Sequence, residues 1–332
     1  MSARTIGTLA LLAVILLPGC VREAESQSVP AALALESTIS LPGVNGRIDH
    51  LAIDMVHGRL FIAALENGSV EVVDLSTGRR IAQISDLHEP QGVEYLPDRN
   101  ELVVASGDGA VRFYLADNFT LAGEIKLAAD ADNVRIDPTT GAVVIGYGNG
   151  ALAIIDAASR SVKNTIALSA HPESFRIDPT GRRAFVNLPD ARQIAVADLT
   201  TMKVEGAWRA SHGANYPMLF DAASNSVLVA YRQAARLVIT DAGDGKVRQD
   251  IDLCGDSDDL FLDPKRQRIY VSCGSGDLDV FAGSSNGYER IGRISTRSGA
   301  RTSLFVPELD RLFVAARAAD GKAAAILVFR PS

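Results

Sequence analysis

The chain has 332 residues, 47% of them hydrophobic, enough for two ordinary domains or one large repeat fold with a substantial core. Its formal net charge of −7 offers no long-range attraction to a phosphate backbone, so nucleic acid is not an expected partner. Aromatic residues make up only 6%, with a single tryptophan, Trp208, which argues against a surface built to stack sugars or bases.

In chain order, the first element is a targeting signal. Arg4 gives a short positive segment, and residues 6–17 are an apolar run. The run is too short to span a bilayer as a helix, which needs about 20 residues, but it suits the hydrophobic region of a secretory signal. It ends in Leu17-Pro18-Gly19-Cys20, which resembles a bacterial lipoprotein cleavage box, although Pro18 stands where Ala or Ser is commoner. The resemblance implies that residues 1–19 are a signal peptide. It also implies that Cys20 is lipidated and anchors the chain to a membrane, with residues 20–33 as a polar tether. Val21, rather than an aspartate, after the cysteine points to the outer membrane, on the periplasmic side of a bacterial envelope.

From residue 34 to 332 the chain repeats itself. An apolar triplet followed by a small residue recurs as Leu60-Phe61-Ile62-Ala63, Leu102-Val103-Val104-Ala105, Val143-Val144-Ile145-Gly146, Ala184-Phe185-Val186-Asn187, Val227-Leu228-Val229-Ala230, Ile269-Tyr270-Val271-Ser272 and Leu312-Phe313-Val314-Ala315. A short apolar run and a turn precede each triplet. A hairpin follows, with turn signals such as Asn67-Gly68, Asp108-Gly109 and Asn149-Gly150. Four antiparallel strands per repeat of about 42 residues is the signature of a β-propeller blade. The seventh repeat runs out after three strands, and Leu35–Leu41 supplies the missing fourth, closing the ring without an open edge. The predicted fold is all-β, a seven-bladed propeller.

The triplets, followed by a glycine-containing hairpin and Val70-Glu71-Val72-Val73-Asp74, resemble the YVTN-type, YncE-like β-propeller proteins of bacteria. The resemblance implies this fold for nearly the whole mature chain but no single activity, because such propellers bind, scaffold or catalyse.

Overlaying the repeats separates turn residues from candidate site residues. Asp54, Asp137, Asp178, Asp221 and Asp263 share a column and read as turn chemistry, three of them followed by proline. Two residues before the first apolar position of each inner strand stand Asp49, Gln91, Asp132, Glu173, Tyr216, Asp258 and Thr302. Next come His50, Gly92, Asn133, Ser174, Pro217, Asp259 and Ser303. The inner strands of a propeller surround its channel, so this double ring should line one mouth. Strand alternation lets one column face the axis, and the first is the expected one.

Asp132, Glu173 and Asp258 are candidate ligands for a divalent cation such as calcium, a hard cation that takes several oxygens. Arg192 and Arg236, on the second hairpins of two blades, and Arg301 are placed to clamp an anionic group on a ligand. Histidines 50, 88 and 171 precede inner strands of three different blades and form only a weak zinc signal, His88-Glu89-Pro90 lacks the second histidine of a zincin, and no nucleophile-elbow pattern occurs. Cys254 and Cys273 fall at one end of the sixth repeat, and an oxidising compartment invites a disulfide between them.

No assembled catalytic motif is present. The sequence therefore points to a lipid-anchored module that binds a protein or small-molecule ligand at its channel mouth. The alternative is a metal-dependent hydrolase of lactonase type, using the acidic ring to polarise a carbonyl and activate water.

Overall fold

The computed structural model describes Met1 and residues 32–285 and 287–332; the expected signal peptide and Cys20 lie outside them. The described chain forms 28 strands and no helix. They make seven four-stranded antiparallel sheets, and six of these are simple meanders. The seventh borrows its outermost strand from the N-terminus. Leu33–Leu41 pairs with Ala324–Pro331, from Leu33 against Pro331 to Leu41 against Ala324, so the ring closes as the repeat count required.

The hydrophobic core is divided among seven clusters, one between each pair of neighbouring blades. This arrangement follows from the sequence pattern. A strand in the middle of a blade has a neighbouring blade on both faces, so the triplets need no polar alternation and are buried throughout, as in Arg59–Ala64. The outermost strands have one face in water and alternate, as in Arg79–Ile84. Phe61, Phe113, Phe185 and Phe281 are essentially fully buried anchors of these interfaces, each contributing roughly 1.5–3 kcal/mol of burial.

The turn column behaves as its residue types dictate. Asp54, Asp137, Asp178, Asp221 and Asp263 each accept a hydrogen bond from the backbone N–H two residues ahead. Burial disfavours the charged forms of Asp54, Asp137 and Asp178, yet hydrogen bonds led by the His57 N–H, the Thr140 hydroxyl and the Thr180 hydroxyl respectively hold these carboxyls below the usual range. These turns lie at the end of the inner strands opposite the polar ring, so they fix the scaffold and leave the ring to other residues.

Blade six carries a disulfide between Cys254 and Cys273, with Cα atoms 5.9 Å apart. Cys273 ends the second strand of that blade, and the Cys254 backbone N–H donates to Asp279 Oδ2 at 2.9 Å. The bridge ties the segment leading into the inner strand Ser257–Asp263 to its neighbour, immediately below the ring.

Candidate functional site at the channel mouth

Seven inner strands surround the axis: Leu51–Asp54, Pro90–Leu96, Ala131–Ile136, Phe175–Ile177, Gly213–Asp221, Ser257–Asp263 and Ser303–Val306. Where each enters the blade, most carry one residue too many. Asp49 N–H donates to Ala63 O while Ala63 N–H donates to His50 O, so two residues face one. Asn187 is shared in the same way by Glu173 and Ser174. The pairing register slips by one residue at the equivalent point in blades two, three, five and six. Such β-bulges cancel the strand alternation locally and re-aim side chains.

The expectation that one column alone would face the axis is therefore corrected, because both contribute. From the second column, His50 lies with Nδ1 3.7 Å from Asp259 Oδ2 and Nε2 4.0 Å from Asp132 Oδ1. From the first, Asp132 reaches across to it from blade three.

Blade seven brings a second correction. Ser303 pairs with Val314 at the register where Leu51 pairs with Ile62, and Ala315 N–H donates to Thr302 O as Ala63 N–H does to His50 O. Thr302 thus belongs to the second column, where it is buried with its hydroxyl donating to Ile48 O, and Arg301 takes the seventh place in the first. The residue choice at Gly92 also becomes clear. A Cβ there would stand 1.9 Å from the Asp132 carbonyl oxygen, so only glycine lets blade two close against blade three.

The mouth is a lattice of opposite charges. Asp258 is gripped by Arg232 Nη2 and by Arg301 Nε, the latter at 2.9 Å, while Asp256 lies 3.3 Å from Arg232 Nε and 3.1 Å from Arg301 Nη1. The Arg232 guanidinium lies 3.9 Å above the Tyr216 ring. Arg47 Nη2 is 2.8 Å from Asp49 Oδ2. Gln91 Nε2 donates to Asp130 Oδ1 at 3.0 Å, and His171 stands 3.7 Å from the other Asp130 oxygen. Asn133 donates to the Glu173 carbonyl, bracing blade three against blade four.

Crowding raises the acids. Burial pushes the Asp132 carboxyl well above its usual range, and the fields of Asp49, Glu173 and Asp130 add to this against His50. Glu173 and Asp258 are raised by burial first and by neighbouring acids second, with Arg232 opposing in both. Burial alone would lower the His50 imidazole, but Asp259, Asp49 and Asp132 reverse it and lift it to about 9. One oxygen of Asp132, Oδ1, is buried without a hydrogen-bond partner.

Several expected residues are placed elsewhere. Arg236 is spent on Asp250 and Asp252, and Arg192 is exposed with no ion pair among the described residues. The arginine of the blade-five hairpin that reaches the ring is Arg232, four residues earlier. His88 is largely exposed beside Glu89, apart from His50. Among the described residues, no three His, Cys, Asp or Glu side chains are grouped with metal-ligand spacing.

Beneath the mouth, all seven blades line a cavity of about 240 Å³ on the propeller axis. His50 and Asp259 line its upper part. One register adds Glu94, Arg135 and Arg176, at the middle of three consecutive inner strands, with Leu219, Phe261 and Leu304 opposite. These residues were not among the expected site residues. The signal was present in Val93-Glu94-Tyr95, Val134-Arg135-Ile136 and Phe175-Arg176-Ile177, where a charge interrupts an apolar run at the same place in three successive repeats.

No protein-family model matches the chain, and no curated protein matches it by sequence. Solved structures do resemble it. A chain of Kuenenia stuttgartiensis hydrazine synthase aligns over 82% of this chain and 95% of its own, at 15% identity and a TM-score of 0.71. A chain from a mitotic checkpoint complex aligns over 97% and 98%, at 16% identity and a TM-score of 0.75. At such identities the likeness concerns the fold, a seven-bladed propeller, a shape compatible with protein interaction.

Proposed function

We propose that the protein is a lipid-anchored binding module of the bacterial envelope, of the YVTN-type, YncE-like kind, and that its partner is a basic protein segment received at the channel mouth. The observation that carries this reading is the concentration of Asp49, Asp130, Asp132, Glu173, Asp256 and Asp258 on one rim. They outnumber the arginines set among them, and burial and mutual repulsion strain several of them toward the neutral form. The fold does not need this crowd, since the core lies between the blades. A cationic side chain entering the mouth would relieve the repulsion and give Asp132 Oδ1 a donor. The anchor, if carried by Cys20, would hold the propeller at the membrane surface by a short tether. The fold's likeness to a chain of a multiprotein assembly is consistent with an interaction role.

Fluorescence anisotropy with a labelled oligolysine peptide tests the reading. Binding should weaken as salt rises from about 0.01 to 0.15 M, because rim charges are screened within about 8 Å at the higher value. The double variant Asp130→Lys/Glu173→Lys should weaken it by at least about tenfold, equivalent to about 1.4 kcal/mol. A peptide that fails to bind, or binds the double variant equally well, would exclude a basic partner at this face.

A further inference from the structure

The axial cavity is a different environment from the mouth above it. Arg135 and Arg176 enter it from adjacent blades, and neither forms an ion pair among the described residues. Arg135 donates only to Val134 O at 2.6 Å and Asn133 Oδ1 at 2.9 Å, and Arg176 only to Phe175 O at 3.0 Å. Each guanidinium has five N–H donors in a fixed fork, so several remain for whatever fills the cavity. Glu94 lies on the next blade and is not within ion-pair distance of either arginine. Leu219, Phe261 and Leu304 form the facing wall. At this register the cavity is two-sided, with guanidinium donors that have no carboxylate partner on blades three and four and the side chains of Leu219, Phe261 and Leu304 on blades five to seven, while Asp259 and Ser303 line it nearer the mouth.

We infer that this cavity is a binding site for a small carboxylate on an apolar stem, the carboxylate held by the Arg135 and Arg176 forks and the stem packed against Leu219, Phe261 and Leu304. The pairing of planar guanidinium with planar carboxylate is bidentate and stronger than a neutral hydrogen bond. The volume, about 240 Å³, lies below the roughly 300–1,000 Å³ of pockets that bury drug-sized ligands, which limits the occupant to a small metabolite-like acid. The electrostatics agree. Burial, and then the field of Arg135, push the Arg176 guanidinium down to about 9 against the opposing fields of Asp259 and Glu94, so an anion held between the two forks would offset their remaining repulsion. Burial raises the Glu94 carboxyl against the opposing fields of Arg135, Arg176 and His50. On the path from the mouth, the guanidiniums of Arg47, Arg232 and Arg301 pair with Asp49, Asp256 and Asp258, and His50 faces Asp259, which reduces but does not cancel the repulsion an anion meets there. The inference concerns the space beneath the rim and stands whatever meets the rim itself.

The test is isothermal titration calorimetry of the full chain at pH 7 with hexanoate, hexanamide, hexylamine and inorganic sulfate. Hexanoate is expected to bind, with the amide, the amine and sulfate each weaker by about tenfold or more, because each lacks either the carboxylate or the stem. Arg176→Met should remove hexanoate binding, and Arg135→Lys, which keeps the charge but loses the fork, should weaken it several-fold. If Arg176→Met does not fold, Leu219→Ala serves with Arg135→Lys, and it should weaken hexanoate while leaving acetate unchanged. The proposal is overturned if hexanoate shows no binding up to on the order of 10 mM. It is also overturned if the amide or sulfate binds as well, or if folded arginine variants bind hexanoate undiminished.

Discussion

At His50, burial of an imidazole and the nearness of Asp259 and Asp132 pull in opposite directions, and the carboxylates win. The sign of the consequence is fixed by linkage. A histidine raised from 6.5 to about 9 in the folded state contributes stability that is fully present below pH 6.5 and lost as pH rises through about 9. The upper bound is about 3 kcal/mol, at 1.36 kcal/mol per pKa unit. The raised acids Glu94, Asp132, Glu173 and Asp258 work in the same direction at lower pH, since each becomes costly to ionise in place. Urea denaturation across pH 6.5–9 should therefore show falling stability, and His50→Gln should flatten that interval. A wild-type profile already flat there would mean that the imidazole is not held as a cation. The candidate ring was legible residue by residue because acids recur at one place in the repeat. The use of each acid was not, because Asp256, Asp258, Asp259 and Asp263 stand within one short stretch, yet the first two meet Arg232 and Arg301 on the rim, the third faces His50 and the fourth caps a turn.

At the scale of the strand, an inserted residue and a displaced apolar position separate two expectations from the structure. Alternation predicts a single lining column, but a strand with an inserted residue does not alternate, and nothing in Ala131-Asp132-Asn133-Val134 announces the insertion. In blade seven the first apolar residue, Leu304, falls one position later than its counterparts, because Ser303 occupies the usual apolar site. Counting from it displaced Thr302 into the place of Arg301. Glu94, Arg135 and Arg176 escaped notice for a related reason: a charge inside an apolar strand reads as surface, whereas the inner strand of a propeller has a wet side facing the axis. The blade-six disulfide gives the prediction at this scale. Its cysteines are 19 residues apart, and the chain-entropy account assigns a loop of that size about 3 kcal/mol. Cys273→Ser should lower the unfolding free energy by about that amount in chemical denaturation. A loss under about 0.5 kcal/mol would show that the bridge neither restrains the unfolded chain nor supports the ring.

The whole molecule was the most legible level, since a period maintained over seven repeats leaves few architectures and the truncated last repeat identifies the closing strand. What the repeat cannot convey is direction, that is, which end of the ring meets a partner. The structure makes the two ends chemically different. The turns around Asp54, Asp137 and Asp178 are internally satisfied at one end, while the other gathers charged groups around an axial cavity. The central claim is that this charged end is the working face. Site-specific photo-crosslinking in cells that make the protein tests it most directly, with the photoreactive residue placed in turn at Glu173 or Tyr216 on the mouth and at Val56, which is 76% exposed, on the opposite turn face. The account predicts discrete adducts from the mouth positions and none from Val56. Adducts from Val56 with none from the mouth would contradict it.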